Sequence, residues 1–184
     1  MTVIRLQFLA GRYHATPWGR NVNEGVPEWP PSPYRFLRAL YDVWRRKCPD
    51  MRESTIGDLF AVLAAADPSF TLPTASASHT RSYLSANSED PTAKNLVFDA
   101  FTITIKNEPC FFSWPDVELT ETQREALVRL LAGLNYLGRS ESWVQASLHD
   151  GPPRGNWRCL PADHPEATGE IVATIPHRDD PLST

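Results

Sequence analysis

Residues Val3 to Leu9 alternate, with Ile4, Leu6 and Phe8 on one side and Arg5 and Gln7 on the other. That is the pattern of a half-buried β-strand. From Pro33 to about Lys47, Phe36, Leu37, Leu40, Tyr41 and Trp44 fall at helical spacing and form one apolar stripe, flanked by Arg35, Arg38, Arg45 and Arg46. Local chemistry marks the start of this helix. Ser32 is a good N-cap, since its hydroxyl accepts from an orphan amide of the first turn. Pro33 suits the first helical position, where a missing N–H costs nothing, and Pro30 and Pro31 hold the approach extended. A shorter helix is expected from about Ile56 to Ala66, ended by Asp67-Pro68, and then a short strand from Phe70 to Leu72. Residues 73–95 are rich in Ser, Thr, Ala and Asn and read as a protruding hairpin or a mobile loop. Val97 to Ile105 is a strand with Phe101, Ile103 and Ile105 on one face, and Cys110 to Trp114 is a candidate to pair with it. Thr120-Glu121-Thr122-Gln123 is a capping box. It opens a helix with Leu127, Leu130, Leu131 and Leu134 on one face. Val144, Ala146 and Leu148 alternate in a last strand from Glu141 to Leu148.

The order is strand, helix, short helix, strand, strand, helix, strand. It matches a βαββαβ unit, so the expected class is α+β, a ferredoxin-like or RRM-like domain over residues 1–150. Two helices would cover one face of an antiparallel sheet. Residues 151–184 are rich in Pro and Gly at their start and form an extension, with one extra strand expected at Glu170–Ile175 and a linker-like end at 179–184.

Composition narrows the function classes. A chain of 184 residues with 41% hydrophobic content suits one domain with a real core. No apolar run approaches membrane-span length, and the N-terminus has no signal-peptide form, so a cytoplasmic location and no membrane partner are expected. Cys48, Cys110 and Cys159 are odd in number and widely spaced, which suggests neither a disulfide framework nor a zinc site. The net charge of −4 is unevenly spread: residues 1–47 carry eight cations and three acids, a local +5, and the remainder carries −9. A basic face on an acidic body follows, unless those cations merely solvate a helix surface. The five histidines are scattered, with no metal-ligand spacing, no phosphate-binding Gly-rich loop and no nucleophile elbow. No cofactor and no metal are expected, and the weight moves towards binding.

Three clusters suit nucleic acid. Arg12, His14, Trp18 and Arg20 lie in the long segment from Gly11 to Arg20, where arginine forks recognise phosphate and an indole offers a face to a base. The alternative there is a loop packed on its own tryptophan. His79, Arg81 and Tyr83 alternate, so on an extended chain they share one face; the alternative is an exposed polar hairpin. Gly138 follows a helix end as a turn glycine would, which aims Arg139 and Ser140 outward, or else Arg139 pairs with Glu141. Arg35 and Arg38 join the set through the first helix. Val97–Ile105 lacks the aromatic consensus of RNA recognition motifs, and Phe98 and Phe101 read as core, so RNA would be held by loops and helix ends.

Together these clusters resemble a known family. Gly11-Arg12-Tyr13-His14-Ala15-Thr16-Pro17-Trp18-Gly19, the block from Glu28-Trp29-Pro30-Pro31-Ser32-Pro33-Tyr34-Arg35 to Leu40, His79-Thr80-Arg81-Ser82-Tyr83 and Tyr136-Leu137-Gly138-Arg139-Ser140-Glu141-Ser142-Trp143 carry the likeness. The chain resembles the Cas-five-like N-terminal half of the fused Cas-five/Cas-six protein of type I-U (I-G) CRISPR systems. The resemblance implies a Cascade subunit of antiviral defence that caps the 5′ handle of the crRNA. It also implies a thumb between the second and third strands, where residues 73–95 lie. The implied partners are crRNA, the repeated backbone subunit, the large subunit and, indirectly, target DNA. The family's ribonuclease half has no counterpart in the stretches that match.

Two other functions compete with structural RNA binding. One is a metal-independent ribonuclease, with His14 or His79 as general base and Arg81 or Tyr83 supporting the phosphorane. The other is a protein-only interaction module, which leaves the arginines unexplained.

Overall fold

The computed structural model describes residues 1–85, 92–105 and 108–161. The first helix, α1, runs Pro33–Lys47 as its caps predict: the Ser32 hydroxyl accepts from the Arg35 amide at 3.2 Å, with Pro33 at the first position. Helix α2 spans Glu53–Ala64 and α3 spans Glu121–Gly133, the latter opened by the Thr120–Gln123 capping box. The strands are β1 (Thr2–Phe8), β2 (Arg12–Tyr13), β3 (Ser69–Leu72), β4 (Ala75–Ser85), β5 (Lys94–Thr104), β6 (Cys110–Trp114), β7 (Val144–Leu148) and β8 (Trp157–Cys159). The protein is α+β, with antiparallel sheets and three helices among the described residues.

The strands form two sheets. The larger has the order β7-β1-β6-β3-β8, every neighbouring pair antiparallel. One of its faces carries Ile4, Leu6 and Phe8 of β1, Phe70 and Leu72 of β3, Phe112 and Trp114 of β6, and Val144 and Ala146 of β7. The helical stripes close onto that face: Phe36, Leu37, Leu40 and Trp44 of α1, Ile56, Leu59, Phe60 and Leu63 of α2, and Leu127, Leu130 and Leu131 of α3 all belong to the same buried cluster. Trp114 is anchored there, its indole N–H donating to the carbonyls of Leu63 and Ala66. Beside the opposite face, Ser69, Thr71 and Ser113 border a groove closed by residues 152–161.

The smaller sheet has the order β2-β5-β4. Here the structure corrects the strand assignments. Residues 94–104 do not pair with Cys110–Trp114; they form a long antiparallel hairpin with β4, in register from Ala75↔Thr104 to Ser85↔Lys94. Strand β6 is buried at all five positions, as the central strand between β1 and β3 must be. Of the face expected to be buried at 101–105, only Phe101 is. Ala100, Thr102 and Thr104 are buried, whereas Ile103 and Ile105 are exposed. Alternation defines two faces but not which one meets the body, and here Thr102 turns inward, its hydroxyl donating to the Glu28 carbonyl. Phe98 is not core either: it is half-buried on the hairpin, against Gly25 and His79. The stretch Gly11–Arg20 is only partly loop, since Arg12 and Tyr13 pair with Ile103 and Thr102. The strand expected at Glu170–Ile175 and the linker at 179–184 lie outside the described residues.

Candidate nucleic-acid interface

The site is organised around one buried carboxylate. Glu28 Oε1 accepts from the Tyr13 hydroxyl, from the Ser32 amide at 3.0 Å and from Arg35 Nε at 3.0 Å; Oε2 accepts from Arg35 Nη2 at 3.1 Å. Arg35 Nη2 also donates to the Thr16 carbonyl at 2.7 Å, and the Glu28 amide donates to the Ala15 carbonyl at 2.9 Å. One residue thus ties the 14–20 segment, the second sheet and the start of α1 together. Burial, and then the negative charge of Glu28, push the Tyr13 phenol well above its ordinary value. Burial alone would lower the Arg35 guanidinium, but the bonds and charge of Glu28 outweigh it and hold it above its ordinary value. The sequence places Arg35 among the RNA-facing cations; the structure pairs its half-buried guanidinium with buried Glu28.

Trp18 stands out from that framework. It is 75% exposed, on a turn closed by the Arg20 amide donating to the Pro17 carbonyl at 3.2 Å. Its ring meets Tyr34 edge-on, centroids 6.0 Å apart. Arg20 is nearby and exposed, paired with Glu24 at 3.3 Å. Further along α1, Arg46 pairs with Asp42 at 2.7 Å, and Lys47 donates to the Gly133 carbonyl at 2.6 Å. Three cations of this first segment, Arg20, Arg35 and Arg46, are thus each matched by one of its three acids. Arg38, like Arg12 and Arg45, makes no ion pair among the described residues; its buried Nη1 has no acceptor, and its guanidinium lies 5.5 Å from the Tyr41 ring.

The remaining candidates sit on the two faces of the smaller sheet. Cross-strand pairs His79↔Ala100, Arg81↔Phe98 and Tyr83↔Leu96 put His79, Arg81 and Tyr83 on one face, as their alternation predicts. The His79 ring stacks on Phe98 at 4.3 Å between centroids, and the Arg81 guanidinium lies 5.7 Å from the same ring. Tyr83 is 66% exposed.

Arg12, His14 and Arg139 belong to the other face. The Arg12 guanidinium lies 3.6 Å over the Phe101 ring, which explains why Phe101 is buried without joining the main core. His14 is not a loop residue reaching for solvent; it is 2% exposed, its Nδ1 2.6 Å from Glu141 Oε1 and its Nε2 3.9 Å from Asp99 Oδ1. The Ser142 hydroxyl accepts from the His14 amide at 2.8 Å. Arg139 pairs with Asp99 at 3.2 Å, not with Glu141. Gly138 lets this loop close on the His14 segment, since at φ +84° a Cβ would lie 2.5 Å from the His14 carbonyl oxygen. Ser140 is exposed. His14 and His79 therefore lie on opposite faces of one sheet, and the set His14, His79, Arg81, Tyr83 does not converge on a common phosphate. Among the described residues no group of side chains has metal-site geometry, and no helix is long and apolar enough to cross a membrane.

The Glu141 carboxyl has a testable signature. Partial burial raises it, but a backbone amide, the His14 contact and the Arg12 charge outweigh burial and hold it below the ordinary carboxylate range. A depressed carboxylate contributes stability at pH above its unfolded value and loses it as pH falls through the folded one. Glu141→Gln should therefore flatten the acid-side fall in stability. Urea midpoints between pH 3 and 6 check this; parallel curves for variant and wild type would contradict it.

Sequence reasoning singled out the cations but missed the acids that engage them. Glu28 sits seven residues before Arg35 inside the proline-rich block and was legible as a partner. Asp99 and Glu141 were not, because they meet Arg139 and His14 from distant parts of the chain. No family model matches this chain, and no curated protein matches its sequence.

Proposed function

We propose that this chain is a non-catalytic RNA-binding subunit of a type I CRISPR effector, a cytoplasmic Cascade component that caps the 5′ handle of the crRNA. In this reading it contacts the repeated backbone subunit and the large subunit, and target DNA only indirectly. The α+β domain is then ferredoxin-like. The strand order β7-β1-β6-β3, all antiparallel, with α1 and α3 on one face, supports that finer reading, with β8 as an added edge strand. The resemblance of the four motif stretches to the Cas-five-like family supplies the identity of the RNA.

The observation that carries the reading is the β4–β5 hairpin. It is inserted between β3 and β6, the second and third strands of the βαββαβ order, where the family's thumb is expected. It bears His79, Arg81 and Tyr83 on one face beside Phe98. A cation with two aromatic rings and an imidazole on one extended face suits a nucleic-acid strand. The ribonuclease alternative loses His14, which is enclosed by Glu141 and Asp99, and keeps only its His79 form, with Arg81 and Tyr83 on the same face of the hairpin.

The test is incubation of the purified chain with labelled repeat RNA, followed by gel analysis of both complex and RNA length. Binding with the RNA intact supports the proposal. A defined cut supports the ribonuclease, and no binding supports a protein-only module.

A further inference from the structure

We infer that a single-stranded segment of bound RNA runs along the start of α1, one base resting on Trp18 and the next phosphate on Arg38, and continues into the groove between α1 and residues 134–138. The inference rests on the RNA-binding reading above and names the path within it.

Two adjoining clefts define the path. The first, about 330 Å³, is lined by Trp18, Glu28, Ser32, Tyr34, Arg35 and Arg38. The second, also about 330 Å³, includes Arg35, Arg38, Asp42, Arg46, Asn135 and Tyr136 in its wall. Arg35 and Arg38 border both, so the clefts adjoin at these two residues. Each has room for about one nucleotide.

The chemistry along the path is graded. Trp18 offers an exposed indole whose orientation is braced by the Tyr34 edge, and no other described ring stacks on it. A large apolar ring held in water by an ordered turn is the form a base-stacking platform takes. The Glu28 carboxylate at the floor has both oxygens engaged and its charge matched by Arg35, so it does not repel an anion as a bare carboxylate would. Arg38 follows with a buried guanidinium nitrogen that lacks an acceptor. An unmatched buried donor is costly, and a small turn of the half-buried side chain towards the cleft would give it a phosphate oxygen as acceptor. Beyond it, Arg46 and Lys47 outnumber Asp42, and Tyr136 is exposed at the groove's edge. Aromatic, cation, aromatic along one groove is the arrangement that binds single strands with little sequence preference.

The experiment is fluorescence anisotropy of labelled single-stranded repeat RNA with wild type, Trp18→Ala, Trp18→Phe and Arg38→Ala at several salt concentrations. Trp18→Ala should weaken binding about tenfold with the salt slope unchanged, and Trp18→Phe should recover most of it, because stacking carries no charge. Arg38→Ala should weaken binding by a similar factor at low salt and reduce the slope by roughly 0.7, the value for one phosphate on a single strand. Melting temperatures of all variants should stay close to wild type. If wild type binds RNA but both alanine variants bind equally well with the same slope, the path is overturned while RNA binding stands. If wild type binds no RNA, both fail. Competition by polyglutamate as effective as that by single-stranded RNA would overturn the path in favour of an acidic protein ligand.

Discussion

Replacing Glu28 by alanine should cost the domain about 3 kcal/mol, the largest loss expected from any single polar substitution described above. The carboxylate is buried and holds four donors: the Tyr13 hydroxyl, the Ser32 amide and two nitrogens of Arg35. Its removal leaves a half-buried guanidinium without a counter-charge and an orphan amide at the entrance to α1. Removing one member of such a pair costs far more than the pair is worth, because the survivor stays desolvated. Glu28→Gln should fall between, since an amide keeps an oxygen acceptor but turns an NH₂ group towards donors. The exposed pair in which Arg129 Nη2 donates to both Asp50 carboxylate oxygens is the control. Solvent and salt screen it, so Asp50→Asn should change stability far less. Urea midpoints compare the three variants. A loss below about 1 kcal/mol for Glu28→Ala would remove Glu28 as the organising residue.

The second large effect concerns the hairpin. Replacing His79, Arg81 and Tyr83 together by alanine should weaken binding of repeat RNA roughly 100-fold, about 3 kcal/mol, and leave the domain folded. The three lie on one face of β4, which is exposed through this stretch. The main core is built elsewhere, from the larger sheet and the three helices, so their loss opens no cavity in it. The stack of His79 on Phe98 supplies an internal check. His79→Phe keeps a ring in that position and should restore part of the affinity if stacking, not charge, is what the histidine contributes. Anisotropy with labelled RNA measures the series, and circular dichroism verifies the fold. Wild-type affinity in the triple variant would take the hairpin out of the interface.

How much of this was legible in the chain follows from the range of each interaction. Helix α1 was readable to its first residue because Ser32 and Pro33 act within one turn, and α3 because Thr120 and Gln123 cap reciprocally three residues apart. The common face of His79, Arg81 and Tyr83 was readable because strand side chains alternate. The division into two sheets was not. Both 94–104 and 110–114 carry strand patterns, and only tertiary pairing with β1 and β3 separates the second from the first. The inward turn of Thr102 and Thr104, with Ile103 and Ile105 outside, runs against a reading by hydrophobicity. It follows from what packs on that face, the Glu28 segment, whose carbonyl takes the Thr102 hydroxyl. The enclosure of His14 was illegible for the same reason: Glu141, Asp99 and Ser142 reach it across more than eighty positions of sequence. The charge count of the first 47 residues suggested an open basic face. It could not register that Arg20, Arg35 and Arg46 each meet an acid on the same stretch, at Glu24, Glu28 and Asp42.

The central claim is that this domain holds a single strand of RNA through phosphate contacts and stacked bases. Its most direct test is the affinity of the wild-type chain for labelled single-stranded repeat RNA, measured from low to moderate salt. About four phosphate contacts from Arg38, Arg81 and neighbouring cations predict that log K falls against log salt with a slope of about −3, and that excess duplex of the same sequence competes poorly. No measurable binding at low salt, or binding indifferent to salt, would contradict the account.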